Sequence, residues 1–255
     1  MDSRSPPNPA DPDAPESATE KTFYAGASLA AAFGVWLRNI VPVSVIVLVV
    51  NIPTFVLDYL IWHRAIRFPN PTIERYAMAI FGQFLASIAS GAVAFGVIQT
   101  LRGRQTGVVE SISVGVRRLV PVLGTGLLTG ASIALGLGIL IPGLIFMCGF
   151  AVAVPAAVVE RVGGTSALRR SWRLTKGSKR SIFGAYFALG VFNYLLDLVI
   201  RHVIGFATFA RIAEGNALHL IVIGGVSAVF GPVLYHDLRT AKEGATIEEI
   251  AAVFD

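Results

Sequence analysis

The sequence contains one cysteine, Cys148, so no intrachain disulfide can form and nothing about the redox compartment follows. Charge is scarce too. Asp, Glu, Lys and Arg make up 15% of the residues, against about 25% in soluble globular domains. Between Leu119 and Val159 there is no charged residue at all. No G-x-S-x-G, P-loop, H-E-x-x-H or Cys/His metal spacing occurs. These are the patterns by which serine hydrolases, phosphate-binding loops and zinc enzymes are recognised. The expectation is a protein that is not an enzyme and needs neither cofactor nor metal.

What is abundant is apolar residue: 54% of 255, with a mean hydropathy of +0.68. These residues fall in blocks near the length of about 20 that a helix needs to cross a bilayer. The sequence therefore predicts an all-α polytopic membrane protein with six transmembrane helices and amphipathic cytoplasmic connector helices. Net charge is +5. Because the basic residues sit beside the apolar blocks, anionic membrane lipid is the expected partner and nucleic acid is not. A membrane-protein partner or a second copy of the chain is the other association the sequence allows.

Three regions follow from composition. Residues 1–22, rich in Pro, Asp, Ser and Ala, read as a disordered cytoplasmic tail. Residues 23–240 form the six-span domain. Residues 241–255 read as a short cytoplasmic helix, with Thr246 and Glu249 spaced as a capping box. Within the domain, 23–39 reads as a helix on the membrane surface. The six spans are placed at 40–62, 74–99, 119–141, 144–159, 181–204 and 217–235. The Ile141-Pro142-Gly143 breaker makes the third and fourth a tight hairpin, and the fourth is short. Small residues recur every fourth position at Gly82, Ala86, Ser90 and Ala94, and again at Gly126, Gly130, Ala134 and Gly138. This spacing lets membrane helices approach closely.

On a six-span layout, sixteen of the 21 lysines and arginines fall on the amino-terminal side of the membrane. The positive-inside rule then puts both termini in the cytoplasm. Arg38-Asn39-Ile40-Val41-Pro42 resembles Arg117-Arg118-Leu119-Val120-Pro121, and Lys179-Arg180-Ser181-Ile182 fits the same slot loosely. This suggests a three-unit repeat of surface helix plus hairpin.

The best-patterned connector lies between Pro155 and Arg180. In its helix Leu168, Trp172 and Thr175 share one face, with Ala167, Ser171 and Leu174 beside them. Arg169, Arg170, Arg173 and Lys176 fill the other side, and Gly163-Gly164 and Gly177 bracket it. A Trp anchor opposite a basic face suits docking on lipid, so Arg169, Arg170, Trp172, Arg173, Lys176, Lys179 and Arg180 are the candidate lipid-binding residues. The candidate intramembrane polar set is Asn51, Asp58, Asn193, Asp197 and Arg201. Asp197 and Arg201, four apart with the acid first, predict a local ion pair. A polar path for a small transporter or channel is the alternative for this set. Asp58, His63, Asp197, His202 and His219 converge on one interface, where contact with headgroups and water is a stronger expectation than a metal or proton site.

Three stretches together resemble a known bacterial family. They are Ile141-Pro142-Gly143-Leu144-Ile145-Phe146; Val159-Glu160-Arg161-Val162-Gly163 followed by Ala167-Leu168-Arg169-Arg170-Ser171-Trp172-Arg173-Leu174-Thr175-Lys176-Gly177; and the closing Tyr235-His236-Asp237-Leu238-Arg239 with Glu243-Gly244. The family is the glycerophosphoryl diester phosphodiesterase membrane domain and its relatives. The resemblance, covering about 23–250, implies a six-span inner-membrane protein. The family's name comes from relatives fused to a phosphodiesterase. This sequence lacks that enzyme's His and acidic motifs, and its catalytic barrel needs about 250 residues by itself. The resemblance therefore implies the membrane domain without the enzyme.

Overall fold

The computed structural model describes residues 23–101, 124–132, 141–204 and 208–244. Among these residues every regular element is helical. In chain order they are α1 (Ala25–Arg38), α2 (Ile40–Trp62), α3 (Pro71–Leu101), α4 (124–132), α5 (Ile141–Gly149), α6 (Ala153–Glu160), α7 (Thr165–Thr175), α8 (Lys179–Val203), α9 (Phe209–His219) and α10 (Gly225–Glu243). A π-helical turn at Leu220–Gly224 joins α9 to α10. Among the described residues five segments are long and apolar enough to cross a membrane: Ile40–Trp62, Pro71–Gln99, Ile141–Glu160, Lys179–Val203 and Ala210–Glu243.

The last segment is the hub. Val226, Val229, Phe230, Val233, Leu234, Tyr235 and Leu238 of α10 are all buried, on every side of the helix, as expected for one enclosed by others. It packs against α1, α2, α3, α6 and α7. By contrast, only 22% of α2 and 17% of α8 is buried inside the bundle, against 56% for the last segment. Their outward rows, Val41, Val45, Val49, Ile52 and Val56 on α2 and Phe187, Val191, Leu195, Leu198 and Val199 on α8, are exposed. Water would not tolerate so much contiguous apolar surface, whereas hydrocarbon does.

Several expected boundaries hold and several shift. The first span is the predicted one. The second starts at Pro71, where Asn70 Oδ1 accepts the Ile73 N–H at 2.8 Å and proline occupies the first helical position. Ile141-Pro142-Gly143 begins the described part of α5, and the predicted hairpin turn depends on residues 133–140, which lie outside the described residues. An interruption follows at 150–152, so the fourth span is two short helices rather than one. The segment around Arg211, Glu214, Gly215 and Asn216, predicted as a loop, is α9, initiated by the Thr208 side chain, which accepts the Arg211 N–H. The final helix runs past the predicted end at Tyr235 to Glu243, because the polar residues beyond it find partners on neighbouring helices.

The tail 1–22, the connector 102–118 and the capping box at Thr246 lie outside the described residues, as does the predicted third span apart from α4. Where α4 is described, a Cβ on Gly126 would lie 2.6 Å from Ser87 Cβ, and one on Gly130 would lie 3.6 Å from Gln83 Cγ. Helix α4 therefore runs antiparallel to α3 at close range. The small-residue face of α3 is used selectively. Ser90 meets Gly231 and Ala94 packs with Val158, but nothing lies within 4 Å of a Cβ on Gly82.

Candidate functional site

The connector that carries most of the sequence motifs is α7, and the structure shows why its pattern is amphipathic. Gly164 and Gly177 have φ of +56° and +84°, conformations that favour glycine, and they stop the chain on each side of the helix as predicted. Ala167, Ser171, Leu174 and Thr175 are buried. Of the face expected to sit in lipid, Thr175 is buried and Leu168 and Trp172 are half-buried, because α7 folds back along α6 and seals the break at 150–152. At that break the Gly149 carbonyl accepts the Ser171 hydroxyl at 2.8 Å and the Thr175 hydroxyl at 3.2 Å. The Val152 N–H donates to Ser171 Oγ at 3.3 Å. An interrupted membrane helix must have its freed backbone groups satisfied by neighbours, and two connector hydroxyls do so. Trp172 fills the space above Gly149, where a Cβ would come within 2.4 Å of its ring. It also contacts Phe146 and Phe150.

The basic face divides into two groups. Arg170 is turned inward, its side chain only 16% exposed. Its Nε donates to Glu160 at 2.6 and 2.9 Å, and its two terminal nitrogens donate to Glu243 at 2.5 and 2.7 Å. One planar guanidinium thus joins the end of α6 to the end of α10, which an ammonium group lacks the donors and fork geometry to do. The Glu243 hydrogen bond, and after it Glu160, hold the Arg170 guanidinium above its already high ordinary pKa. The fully buried Tyr235 hydroxyl donates to Glu160 at 2.8 Å and accepts from Arg239 at 3.2 Å. Arg239 Nε stands 3.4 Å from Glu243, an ion pair without hydrogen-bond alignment. Two carboxylates and two guanidiniums thus balance in charge around one phenol.

Lys179 is also engaged, with its ammonium 3.1 Å above the Trp172 ring, a cation–π contact. The Lys242 ammonium caps the C-terminal end of α7 by donating to the Lys176 carbonyl. The other group is Arg169, Arg173, Lys176 and Arg180. All four are exposed, and their side chains make no ion pair among the described residues.

The intramembrane polar candidates are engaged locally or in pairs. Asn51 is buried and donates to the Val47 carbonyl of its own helix at 2.8 Å, near the Pro53 site. Arg201 donates to Asp197 at 2.6 Å, the ion pair the spacing predicts. Asn216 donates to Asp58 at 3.3 Å, linking α9 to α2. Asn193 is half-buried on α8. His63 lies against Tyr59 with the rings tilted, and His202 is exposed. Among the described residues no group of three or more His, Cys, Asp or Glu side chains could hold a metal.

Sequence reasoning missed the rest of the Arg170 network. Glu160, Tyr235, Arg239 and Glu243 are quoted motif residues, yet Glu160 and Tyr235 stand 75 positions apart, and no helical periodicity reports a contact between helices. It missed Ser28 as well. The hydroxyl of Ser28, on α1, donates to Asp237 Oδ2 at 2.6 Å, while His236 Nδ1 lies 2.9 Å from Asp237 Oδ1. Here the carboxylate sits between hydroxyl and imidazole. In a nucleophilic triad the imidazole would be the middle member, so this set ties α1 to α10 rather than activating Ser28. Compared with known proteins, the chain matches no family model, no curated protein and no solved structure.

Proposed function

We propose that this chain is a non-catalytic multi-pass protein of the bacterial inner membrane that engages anionic lipid through the outward face of its basic connector. One observation carries the reading. Of the six cations between Arg169 and Arg180, Arg170 and Lys179 have internal partners, while Arg169, Arg173, Lys176 and Arg180 remain exposed together. Four cations exposed at a membrane boundary, without an ion pair among the described residues, attract anionic headgroups, at about 1 kcal/mol for each Lys or Arg near the leaflet. The mode differs from an amphipathic helix dipping into lipid. The helix is held by protein, and only its charges face outward.

The same reading includes six spans, the third running through α4 antiparallel to α3, with both termini cytoplasmic and three hairpin units each preceded by a connector. The charge asymmetry of the loops supports the orientation. Membership of the glycerophosphoryl diester phosphodiesterase membrane-domain family, without its enzyme, is part of the proposal. Its support is that residues of the quoted motifs, Glu160, Arg170, Tyr235, Arg239 and Glu243, meet in one network. The transporter reading gains no observation of its own, since Asn51, Asp58 and Asp197 are each bonded locally or to one neighbour.

Mass spectrometry of lipids retained by the protein from native membrane tests the reading. Phosphatidylglycerol and cardiolipin enriched over their membrane abundance is the expected result. A variant with Arg169, Arg173, Lys176 and Arg180 all changed to Gln should lose that enrichment. Equal lipid profiles for the two proteins would overturn the reading.

A further inference from the structure

The four exposed cations have a neighbour of opposite sign. The Ala25 N–H donates to Ser181 Oγ at 2.7 Å, and Phe23 packs against the core. The chain preceding Phe23 therefore leaves the bundle beside the residue that follows Arg180. That preceding segment, 1–22, carries Asp2, Asp11, Asp13, Glu16 and Glu20 against only Arg4 and Lys21. Residues 165–180 carry six cations and no acid.

The acids of the described bundle are not available to those cations. Glu160 and Glu243 are held by Arg170, and Asp237 by Ser28 and His236. Asp58, Glu74, Asp197 and Glu214 belong to the opposite ends of their helices. We propose that the acidic segment 1–22 docks on the outward basic face of α7 and competes there with anionic lipid. The proposal rests on the lipid reading of that face and adds its regulation.

Reach and tethering favour this occupant. Twenty-two residues extend at most about 73 Å, while α7, 11 residues long, measures about 16 Å. Asp2, Asp11, Asp13 and Glu16 can therefore reach along the face, and Glu20 the end of it next to Ser181. A short tether supplies its ligand at an effective concentration in the millimolar range. The attraction is between exposed charges and decays over about 8 Å at physiological salt, so added salt or a competing anionic surface releases the segment.

A zero-length carbodiimide crosslink between a carboxylate and the Lys176 ammonium reads the contact directly on the full-length protein in nanodiscs. In phosphatidylcholine, Lys176 should link to the peptide bearing Asp11, Asp13, Glu16 and Glu20. The yield should fall several-fold in 0.5 M salt and in nanodiscs containing phosphatidylglycerol. A variant with Asp2, Asp11 and Asp13 changed to Asn and Glu16 and Glu20 to Gln should bind two- to fivefold more spin-labelled phosphatidylglycerol than wild type. The proposal is overturned if Lys176 links to Glu110, Glu248 or Glu249 in place of the segment. It is also overturned if the tail-neutralised variant binds that lipid no more than wild type while the Arg169, Arg173, Lys176 and Arg180 variant binds less, an outcome that leaves the lipid reading standing. If the connector variant binds as much lipid as wild type, the lipid reading falls and the competition proposed here falls with it.

Discussion

Helices α1 and α7 occupy comparable places and hold them by different chemistry. Each precedes a long outer helix, α2 or α8, and each lies against the central α10. Each also sets a tryptophan on a glycine of a neighbouring element: Trp36 on Gly225 and Trp172 on Gly149, both with a virtual Cβ distance of 2.4 Å. In α1 the other contacts include buried Ala25 and Ala32, the Ala25 N–H on Ser181, the Phe33 ring against Phe192 and one hydroxyl on Asp237. In α7 they are a four-group ion network and two hydroxyls on a broken span. The difference follows from what each helix faces. Helix α1 packs on the unbroken length of α10, where small residues and an indole fit by shape. Helix α7 covers an interruption and two carboxylates, and must supply donors.

The comparison is broken most severely by Arg170→Met. It leaves Glu160 and Glu243 with Arg239 as their one remaining counter-charge among the described residues, at roughly 2–3 kcal/mol, seen as an early midpoint in a mixed-micelle denaturation series. Arg170→Lys should recover only part of that loss, because an ammonium cannot bridge both carboxylates in a fork.

Next come the glycines. Gly225→Ala and Gly149→Ala each force an indole out of its seat, at about 1–3 kcal/mol by overpacking. The Gly225 change should cost more, since Trp36 is 5% exposed and lies in the main core. Equal midpoints for the two variants would dissolve the distinction between a core seat and a half-buried one.

Ser171→Ala should rank third. It unpairs the Val152 N–H and weakens the seal at Gly149, at about 1–2 kcal/mol, with amide exchange at Val152 rising first. Its α1 counterpart, Ser28→Ala, removes one bond to a carboxylate that His236 still holds, and should cost about 1 kcal/mol. The smallest stability effect belongs to the fourfold Gln variant of Arg169, Arg173, Lys176 and Arg180, whose midpoint should stay within about 0.5 kcal/mol of wild type while lipid retention falls. A large stability loss there would mean that these cations hold the fold together.

Much of the fold is legible in the chain because a membrane helix announces itself by length and hydropathy. The first span at 40–62 and the fifth near 181–204 need no tertiary information. The positions of Gly164 and Gly177 fix the limits of α7, and the spacing of Asp197 and Arg201 fixes their ion pair. The connector's two faces are also legible, but the medium each face meets is not. An amphipathic pattern states only that one side avoids water, and lipid and protein satisfy it equally. The break at 150–152 was invisible for a similar reason, since an uncharged run reads as continuous helix until something supplies bonds to the freed backbone groups.

The sequence by itself thus determined that the chain forms apolar helices of spanning length and that its charge is concentrated on one connector. Both are local properties of composition and period. Only the tertiary structure decided that Ser171 and Thr175 close the break at 150–152, and that Glu160, Arg170, Tyr235, Arg239 and Glu243 form one network. It likewise decided which four cations remain outward. Those outcomes depend on contacts between residues tens of positions apart, whose partners are chosen by packing rather than by spacing.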